Sequence, residues 1–232
     1  MLGAIAIVPS APVLVAELAG PAADELADIR AAMTTAAAML PPRWIGVGVG
    51  PADAVVGRGA VGTFAGFGAD VGVRLSPPRD DDAPGPPAEL PLCALMTAWV
   101  RGRACPEATA QVRVYADDHG RGAALAHGRQ LRAEIDRVTQ PVGVLVVADG
   151  VNTLTPRAPG GYDPGGADAQ LALDDALAAG DVAALHTLPS RVLGRAAFQV
   201  LAGLTEGGPQ SAKELYRGAP YGVGYFIGVW QP

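Results

Sequence analysis

The stretch VGVLVV at residues 142–147 is an unbroken apolar run, which is typical of a strand buried on both faces of a sheet. Similar short runs at residues 3–8 and 44–49 end at Pro9 and Gly50-Pro51. Between them, apolar residues recur at three- and four-residue steps from Gly20-Pro21 to Leu40, and this spacing predicts a helix. Strands that alternate with helices predict a three-layer α/β/α fold with a largely parallel or mixed central sheet.

The remaining elements follow from the same kind of pattern. We expect one domain spanning residues 1–232, in which the Pro- and Asp-rich segment 76–91 is an exposed loop. Asp117 and Asp118 are expected to cap a helix whose apolar stripe runs from Leu125 to Val138. The predicted strands are 71–75, 111–115 and 223–230, and the other predicted helices are 92–101, 166–179, 181–186 and 191–205.

Charge and composition exclude several classes of function. The chain has 17 Lys+Arg against 23 Asp+Glu and a formal charge of −6, which argues against nucleic-acid partners and anionic membranes. The only lysine, Lys213, lies in Ala-Lys-Glu, so there is no phosphate-binding P-loop. Cys93 and Cys105 do not form a Cys-x-x-Cys pair, and we expect two reduced thiols. The uncharged start of the chain is interrupted by prolines and ends at Glu17, so we predict a soluble, cytoplasmic protein.

Ligands of open α/β sheets bind beyond the carboxyl ends of the strands. Four loops of distinctive content follow the predicted strands: residues 9–12, 50–53, 117–120 and 149–153. The glycines of Gly46-Val47-Gly48-Val49-Gly50 suggest a dinucleotide site, but Pro51 or Asp53 would occupy the last glycine position of that fingerprint. We therefore interpret this glycine run as strand packing.

An ordered set of short motifs resembles the catalytic B subunit of class III extradiol ring-cleavage dioxygenases, in the LigB-like superfamily that also includes Memo proteins. The resemblance covers nearly the whole chain. The motifs are Ala6-Ile7-Val8-Pro9-Ser10-Ala11-Pro12, Gly50-Pro51-Ala52, Asp118-His119-Gly120, Val146-Val147-Ala148-Asp149-Gly150 and Ala219-Pro220-Tyr221-Gly222-Val223-Gly224-Tyr225-Phe226.

This resemblance implies an Fe(II) enzyme that opens a catechol-type ring with O₂, with two histidines and a glutamate on the metal. The sequence departs from the family at these positions. Ser10 and Ala52 stand where the family has its two histidine ligands, and residues 149–154 lack its acid/base histidine. The segment 194–199, where the glutamate is expected, has no carboxylate. We therefore predict neither a metal nor another cofactor.

His119 is the one family histidine that is retained, in the Asp118-His119-Gly120 context where the family places a substrate-contacting side chain. It either lines a pocket or is a helix-start histidine hydrogen-bonded to water or backbone. His127 and His186 lie beside or at the end of helices, and we expect structural roles for both.

Further candidate residues lie in the loop after residue 147. Asp149, Asn152 and Thr153 are expected either to orient a ligand or to form the turn. Arg157 and Tyr162 lie in a Gly/Pro-rich loop that could fold over the sheet edge, where they would contact an anionic or aromatic ligand or remain solvated. Together with Ser10, Ala52, Asp118 and His119, they complete the predicted pocket.

Three functions remain open. The first is a diverged, pocket-bearing member of the superfamily that lacks the iron site and binds a small aromatic or carboxylated ligand. The second is an interaction subunit or homo-oligomer that uses the aromatic residues Tyr221, Tyr225, Phe226 and Trp230. The third is a metal-dependent dioxygenase with unusual ligands such as Asp53, His119 and Asp149.

Overall fold

A seven-stranded mixed sheet lies between two layers of helices in the computed structural model, which describes residues 1–78 and 87–232. This is the predicted three-layer α/β arrangement. The strands are β1 (Leu2–Val8), β2 (Arg43–Gly50), β3 (Ala54–Val56), β4 (Val61–Thr63), β5 (Gly72–Arg74), β6 (Thr109–Ala116), β7 (Val142–Val147), β8 (Ser211–Gly218) and β9 (Tyr225–Gln231). The α-helices are α1 (Ala16–Ala19), α2 (Ala27–Ala38), α3 (Leu92–Ala104), α4 (Arg121–Asp136), α5 (Gly166–Ala179), α6 (Val182–Leu185) and α7 (Arg195–Leu204).

The strand order is β3-β6-β2-β7-β1-β9-β8. The four central strands, β6, β2, β7 and β1, are parallel, so their carboxyl ends lie along one edge of the sheet. On one side, the edge strand β3 pairs antiparallel to β6. On the other side, β9 pairs antiparallel to β1, and the edge strand β8 pairs antiparallel to β9. β4 and β5 form a separate two-stranded sheet.

The hydrophobic core is divided by the sheet. Successive residues of β1 face opposite layers: Ala6 packs in the cluster with α2 and α3, whereas Ile7 packs in the cluster with α4, α5 and α7. The strand β7 is buried along its whole length, as its apolar run predicts. Burial on both faces explains why these strands lack polar alternation.

The glycines of β2 let α3 approach the sheet closely. A Cβ at Gly48 would lie 2.3 Å from Cβ of Cys93, and one at Gly46 would lie 2.7 Å from Oγ1 of Thr97. Cys93 and Thr97 are one helical turn apart on α3, so the helix rests on these glycines. The run is therefore a packing surface, as interpreted from the sequence.

Several details differ from the sequence predictions. Asp117 and Asp118 do not cap α4, since its N-cap is Gly120 and no side chain bonds there. The segment Gly20–Leu26 is a 3-10 helix that precedes α2, and α7 begins later than expected. The strands β3, β4 and β8 were not predicted. The predicted loop 76–91 falls partly outside the described residues.

The predicted aromatic dimer surface is wrong for three of its four residues. Tyr225, Phe226 and Trp230 are at most 3% exposed and belong to the two core clusters, and Tyr221 is partly buried. The indole N–H of Trp230 donates to the carbonyl of Leu177 in α5. Tyr225 packs in the core cluster on one face of the sheet, and Phe226 and Trp230 pack in the cluster on the other face. Across residues 1–78 and 87–232, no helix combines the length and apolar character needed to cross a membrane.

Candidate functional site

The loops that follow β2 and β6 are joined by hydrogen bonds at the carboxyl edge of the sheet. The Asp117 N–H donates to the carbonyl of Gly50 over 3.0 Å. The Ala116 N–H donates to Oδ1 of Asp53 over 2.8 Å. Because β2 and β6 are parallel neighbours, residues that follow them fall side by side despite their distance in sequence.

Asp53, His119 and His127 form a cluster at this edge. Nε2 of His119 lies 2.7 Å from Oδ1 of Asp53, and Nε2 of His127 lies 3.8 Å from Oδ2. The two imidazole rings are 4.8 Å apart between centroids. All three potential ligand atoms lie within 4.8 Å of one another. One carboxylate and two imidazole rings therefore lie side by side at this edge.

Helix α7 positions the two histidines. Arg195, at its start, donates from one guanidinium nitrogen to the carbonyl of His119 and from the other to that of Asp117. His127 lies on α4, which packs closely on α7: a Cβ at Gly128 would lie 2.2 Å from the carbonyl oxygen of Val200. The segment 194–199, in which the resemblance implies a glutamate ligand, thus supplies an arginine that holds the loop of His119.

A cavity of about 380 Å³ opens beside the cluster, between β3, β6 and α4. Asp53, Tyr115 and His127 contribute to its wall, and the rings of Tyr115 and His127 are 5.1 Å apart. The other lining residues are Ala54, Val55, Arg113, Val114, Gln130, Leu131 and Glu134. The cavity therefore combines an aromatic wall with several hydrogen-bonding groups.

Charges in the cavity are partly paired. Arg113 forms a 2.9 Å salt bridge with Glu134, whereas the described salt bridges pair Asp53 with the imidazoles of His119 and His127. The hydrogen bond from the Ala116 N–H lowers the pKa of Asp53 against the opposing effect of desolvation, with His119 assisting. Desolvation raises the pKa of Tyr115 to about 12, so its hydroxyl remains protonated near neutral pH.

Ser10 and Asp149, two of the predicted pocket residues, contact each other. The Ser10 N–H donates to Oδ1 of Asp149 over 2.8 Å, and the carbonyl of Asp149 accepts from the Gly194 N–H. Desolvation raises the pKa of Asp149 to about 7, and the Ser10 hydrogen bond opposes this rise. Asp149 is not part of the cluster around Asp53, so the predicted ligand set of Asp53, His119 and Asp149 is wrong in its third member.

The other residues predicted after β7 are dispersed. The carbonyls of Asn152 and Thr153 accept from Gly160 and Asp163, which folds the loop back on itself. Arg157 lines a different cavity of about 460 Å³ with Thr155, Pro156, Pro220 and Tyr221, and Tyr162 is 61% exposed. The 380 Å³ cavity is lined by neither Ser10 nor Asn152.

Ser10 and Ala52, for which the sequence resemblance implies iron ligands, do not fit Fe(II). Ser10 offers a hydroxyl, and Ala52 is an exposed methyl in the loop after β2. Asp118 is also exposed and no side chain reaches it in the described hydrogen bonds. Fe(II) needs strong imidazole and carboxylate donors on one face, and the hydroxyl of Ser10 and the methyl of Ala52 cannot supply them.

His127 is the site residue that the sequence analysis missed, since a structural role was predicted for it. It lies on α4, which begins at Arg121, whereas His119 lies in the loop before the helix, so no helical spacing in the sequence related the two histidines. His186, in contrast, follows α6 away from the cluster, and its Nε2 is buried without a partner in the described residues.

Comparison with known proteins supports the fold and goes no further. No family model and no curated protein matches the sequence. Among solved structures, the chain is similar to the crystal structure of an uncharacterized protein, JW3007, from Escherichia coli K12. The TM-score is 0.55 at 9% sequence identity, and the match covers 99% of this chain and 100% of the other. The class of protein is therefore a three-layer α/β protein whose candidate site lies at the carboxyl edge of its parallel strands.

Proposed function

We propose that this protein is a diverged LigB-like protein that binds a small aromatic ligand and has not kept the iron centre of the family. The observation that carries this proposal is the cavity of about 380 Å³ lined by Asp53, Tyr115 and His127. Ligand sites of open α/β sheets lie beyond the carboxyl ends of parallel strands, and this cavity lies beside the ends of β2 and β6.

Loss of the iron centre rests on the chemistry of two positions. Ser10 and Ala52 stand where the resembled family has histidines. The N–H of Ser10 is held by Asp149, and the loop of Ala52 leads directly into Asp53. In this proposal, the strand-end loops of the family are kept but carry different side chains.

The wall of the cavity favours a hydroxylated aromatic ligand over a carboxylated one. An aromatic ring can stack on the rings of Tyr115 and His127. Ring hydroxyls can donate to the Asp53 carboxylate, whose pKa is lowered by the Ala116 N–H. A carboxylated ligand would meet Asp53 and Glu134, and the nearest cation, Arg113, is already paired with Glu134.

Calorimetric titration of the EDTA-treated protein with catechol tests this proposal, with benzoate as the carboxylated comparator. Catechol should bind more tightly than benzoate, and His127→Ala should weaken catechol binding about 10-fold because it removes one face of the stack. Tyr162→Ala is the control, since Tyr162 is an exposed aromatic residue outside the cavity. If catechol binding is unaffected by His127→Ala but lost in Ser10→Ala, the ligand lies near Ser10 and not in the cavity, and the proposal is wrong. Absence of catechol binding to the wild type would also overturn it.

A further inference from the structure

The cluster of Asp53, His119 and His127 brings together one oxygen and two nitrogen donors from three separate segments of the chain. Asp53 follows β2, His119 precedes α4, and His127 lies on α4. We infer that these three side chains form a binding site for a divalent transition-metal ion of the Zn²⁺ type. None of them is at a position where the resembled family has an iron ligand, so the site is not a remnant of the iron centre.

The distances are close to those of a liganded site. Ligand atoms at about 2.0–2.2 Å from one ion lie roughly 3–3.5 Å from each other. The contact of His119 with Asp53, at 2.7 Å, is slightly shorter, and that of His127 with Asp53, at 3.8 Å, is slightly longer. The two contacts use different oxygens of the Asp53 carboxylate, and the three ligand atoms lie within 4.8 Å of one another, so an ion would draw the side chains together by rotation.

The ligands are held by other parts of the fold. Oδ1 of Asp53 accepts from the Ala116 N–H, and the backbone of His119 is held by Arg195. His127 is fixed through the close packing of Gly128 on α7. Such supporting contacts orient metal ligands and raise affinity.

The donor set indicates the class of metal. Two imidazoles and a carboxylate suit Zn²⁺, Co²⁺, Ni²⁺ or Fe²⁺ better than Ca²⁺ or Mg²⁺, which prefer oxygen ligands. Three protein ligands leave at least one coordination position open, as in catalytic metal sites. Asp53 and His127 also line the cavity, so an open position lies next to the space in which a ligand would bind.

This inference deepens the proposed function, because it adds a metal to the same site. The two are nevertheless separable, since an ion can bind when no organic ligand is present and catechol can bind to the EDTA-treated protein. Catechol binding without metal binding would overturn the metal site and leave the proposed function standing. Metal binding without catechol binding would overturn the proposed function and leave the metal site standing.

Titration of the apo protein with Co²⁺, followed by visible absorption, tests the site directly, and competition with Zn²⁺ gives the affinity for the second ion. We expect one ion per chain, with d–d bands typical of nitrogen and oxygen ligands. His119→Ala and His127→Ala should each lower the affinity by more than about 10-fold, because each removes a ligand. His186→Ala is the matched control, since His186 is the only other histidine in the chain.

Circular dichroism establishes that each variant is folded, and His119→Gln and His127→Gln replace any alanine variant that is not. Equal affinity in the wild type and in both His119 and His127 variants would overturn the inference. Loss of binding in His186→Ala alone would also overturn it, as would failure of the wild type to bind Co²⁺ or Zn²⁺.

Discussion

Oδ1 of Asp53 lies 2.7 Å from Nε2 of His119, although 66 residues separate them in the chain. The contact joins the loops that follow β2 and β6, two parallel strands paired along their whole length. Oδ1 of Asp53 also accepts from the Ala116 N–H, so the carboxylate is held at a fixed place on the sheet edge. The pairing of two strands thus determines where the acidic and imidazole groups of the site meet.

Replacement of Gly128 by alanine should affect both stability and the site. A Cβ there would lie 2.2 Å from the carbonyl oxygen of Val200, so α4 must move away from α7. We expect a loss of about 2–3 kcal/mol in the free energy of unfolding, measured in urea, and weaker Co²⁺ binding because His127 moves with the helix.

The matched control is Gly122→Ala on the same helix, where a Cβ would meet no atom within 4 Å. It should leave Co²⁺ binding unchanged and stabilise the protein by up to about 1 kcal/mol. Equal destabilisation by the two substitutions would show that the α4–α7 contact is not the cause.

Removal of the Asp149 charge should change how stability depends on pH. Because desolvation raises the pKa of Asp149 to about 7, the folded protein holds a proton there that the unfolded chain releases near pH 4. The native state binds more protons in this window, so this residue's contribution to stability is present at low pH and is lost as the pH rises towards 7.

Asp149→Asn cannot release this proton. Its free energy of unfolding relative to wild type should therefore rise by about 3 kcal/mol from pH 4.5 to pH 8, because the pKa of the carboxyl is about 7 in the folded protein and about 4 in the unfolded chain. Urea unfolding at a series of pH values measures the difference. If the free energies of unfolding of Asp149→Asn and wild type differ by the same amount at every pH, the pKa of Asp149 is not raised in the folded protein.

Arg101 should stabilise the protein strongly through hydrogen bonds to backbone carbonyls and not through a salt bridge. Its side chain is only 6% exposed, and it donates to the carbonyls of Arg74, Pro106 and Ala108. Arg101→Met leaves these carbonyls without their donor, and we expect a loss of about 2–4 kcal/mol in thermal or urea unfolding.

Arg103→Met is the comparison on the same helix. Arg103 is half exposed, forms a 3.2 Å salt bridge with Glu17 and lies over the ring of Trp99. Surface contacts of this kind contribute about 1 kcal/mol or less. If Arg101→Met and Arg103→Met have the same free energy of unfolding, the buried hydrogen bonds of Arg101 do not stabilise the protein as expected.

Arg195 should act on the site through the backbone of His119. Arg195→Ala removes the donors to the carbonyls of His119 and Asp117, and we expect Co²⁺ affinity to fall about 10-fold because the histidine loop is less well positioned. Arg129→Ala, which breaks an exposed salt bridge with Glu206, should leave the affinity unchanged. Unaltered Co²⁺ binding in Arg195→Ala would mean that the loop is held by its other contacts.

The central sheet could be predicted because its strands are buried on both faces. β7 has the bounds that its apolar run predicts, β1 begins one residue earlier than predicted, and β2 is one residue longer at each end. β8 was missed because it is a partly exposed edge strand that carries Lys213, Glu214 and Arg217, which hide its periodicity. β3 and β4 are three residues each, too short for a pattern to be visible.

The site could be predicted only in part. The sequence indicated the loops of Asp53 and His119 as strand-end loops, but it gave no information on the order β6-β2-β7-β1 that makes them neighbours. His127 was missed because its helix was interpreted by its apolar stripe, and its partner is remote in sequence. Asp149 was assigned to the same site as His119, whereas its carboxylate bonds to Ser10.

The most direct test of the account is a crystal structure of the wild-type protein soaked with Co²⁺ and catechol, with anomalous data collected at the cobalt edge. The account predicts one anomalous peak at about 2.0–2.2 Å from ligand atoms of Asp53, His119 and His127, and a ring beside Tyr115. Metal or catechol bound between Ser10, Ala52 and Asp149 instead, or neither of them bound at the Asp53 cluster and its cavity, would contradict it.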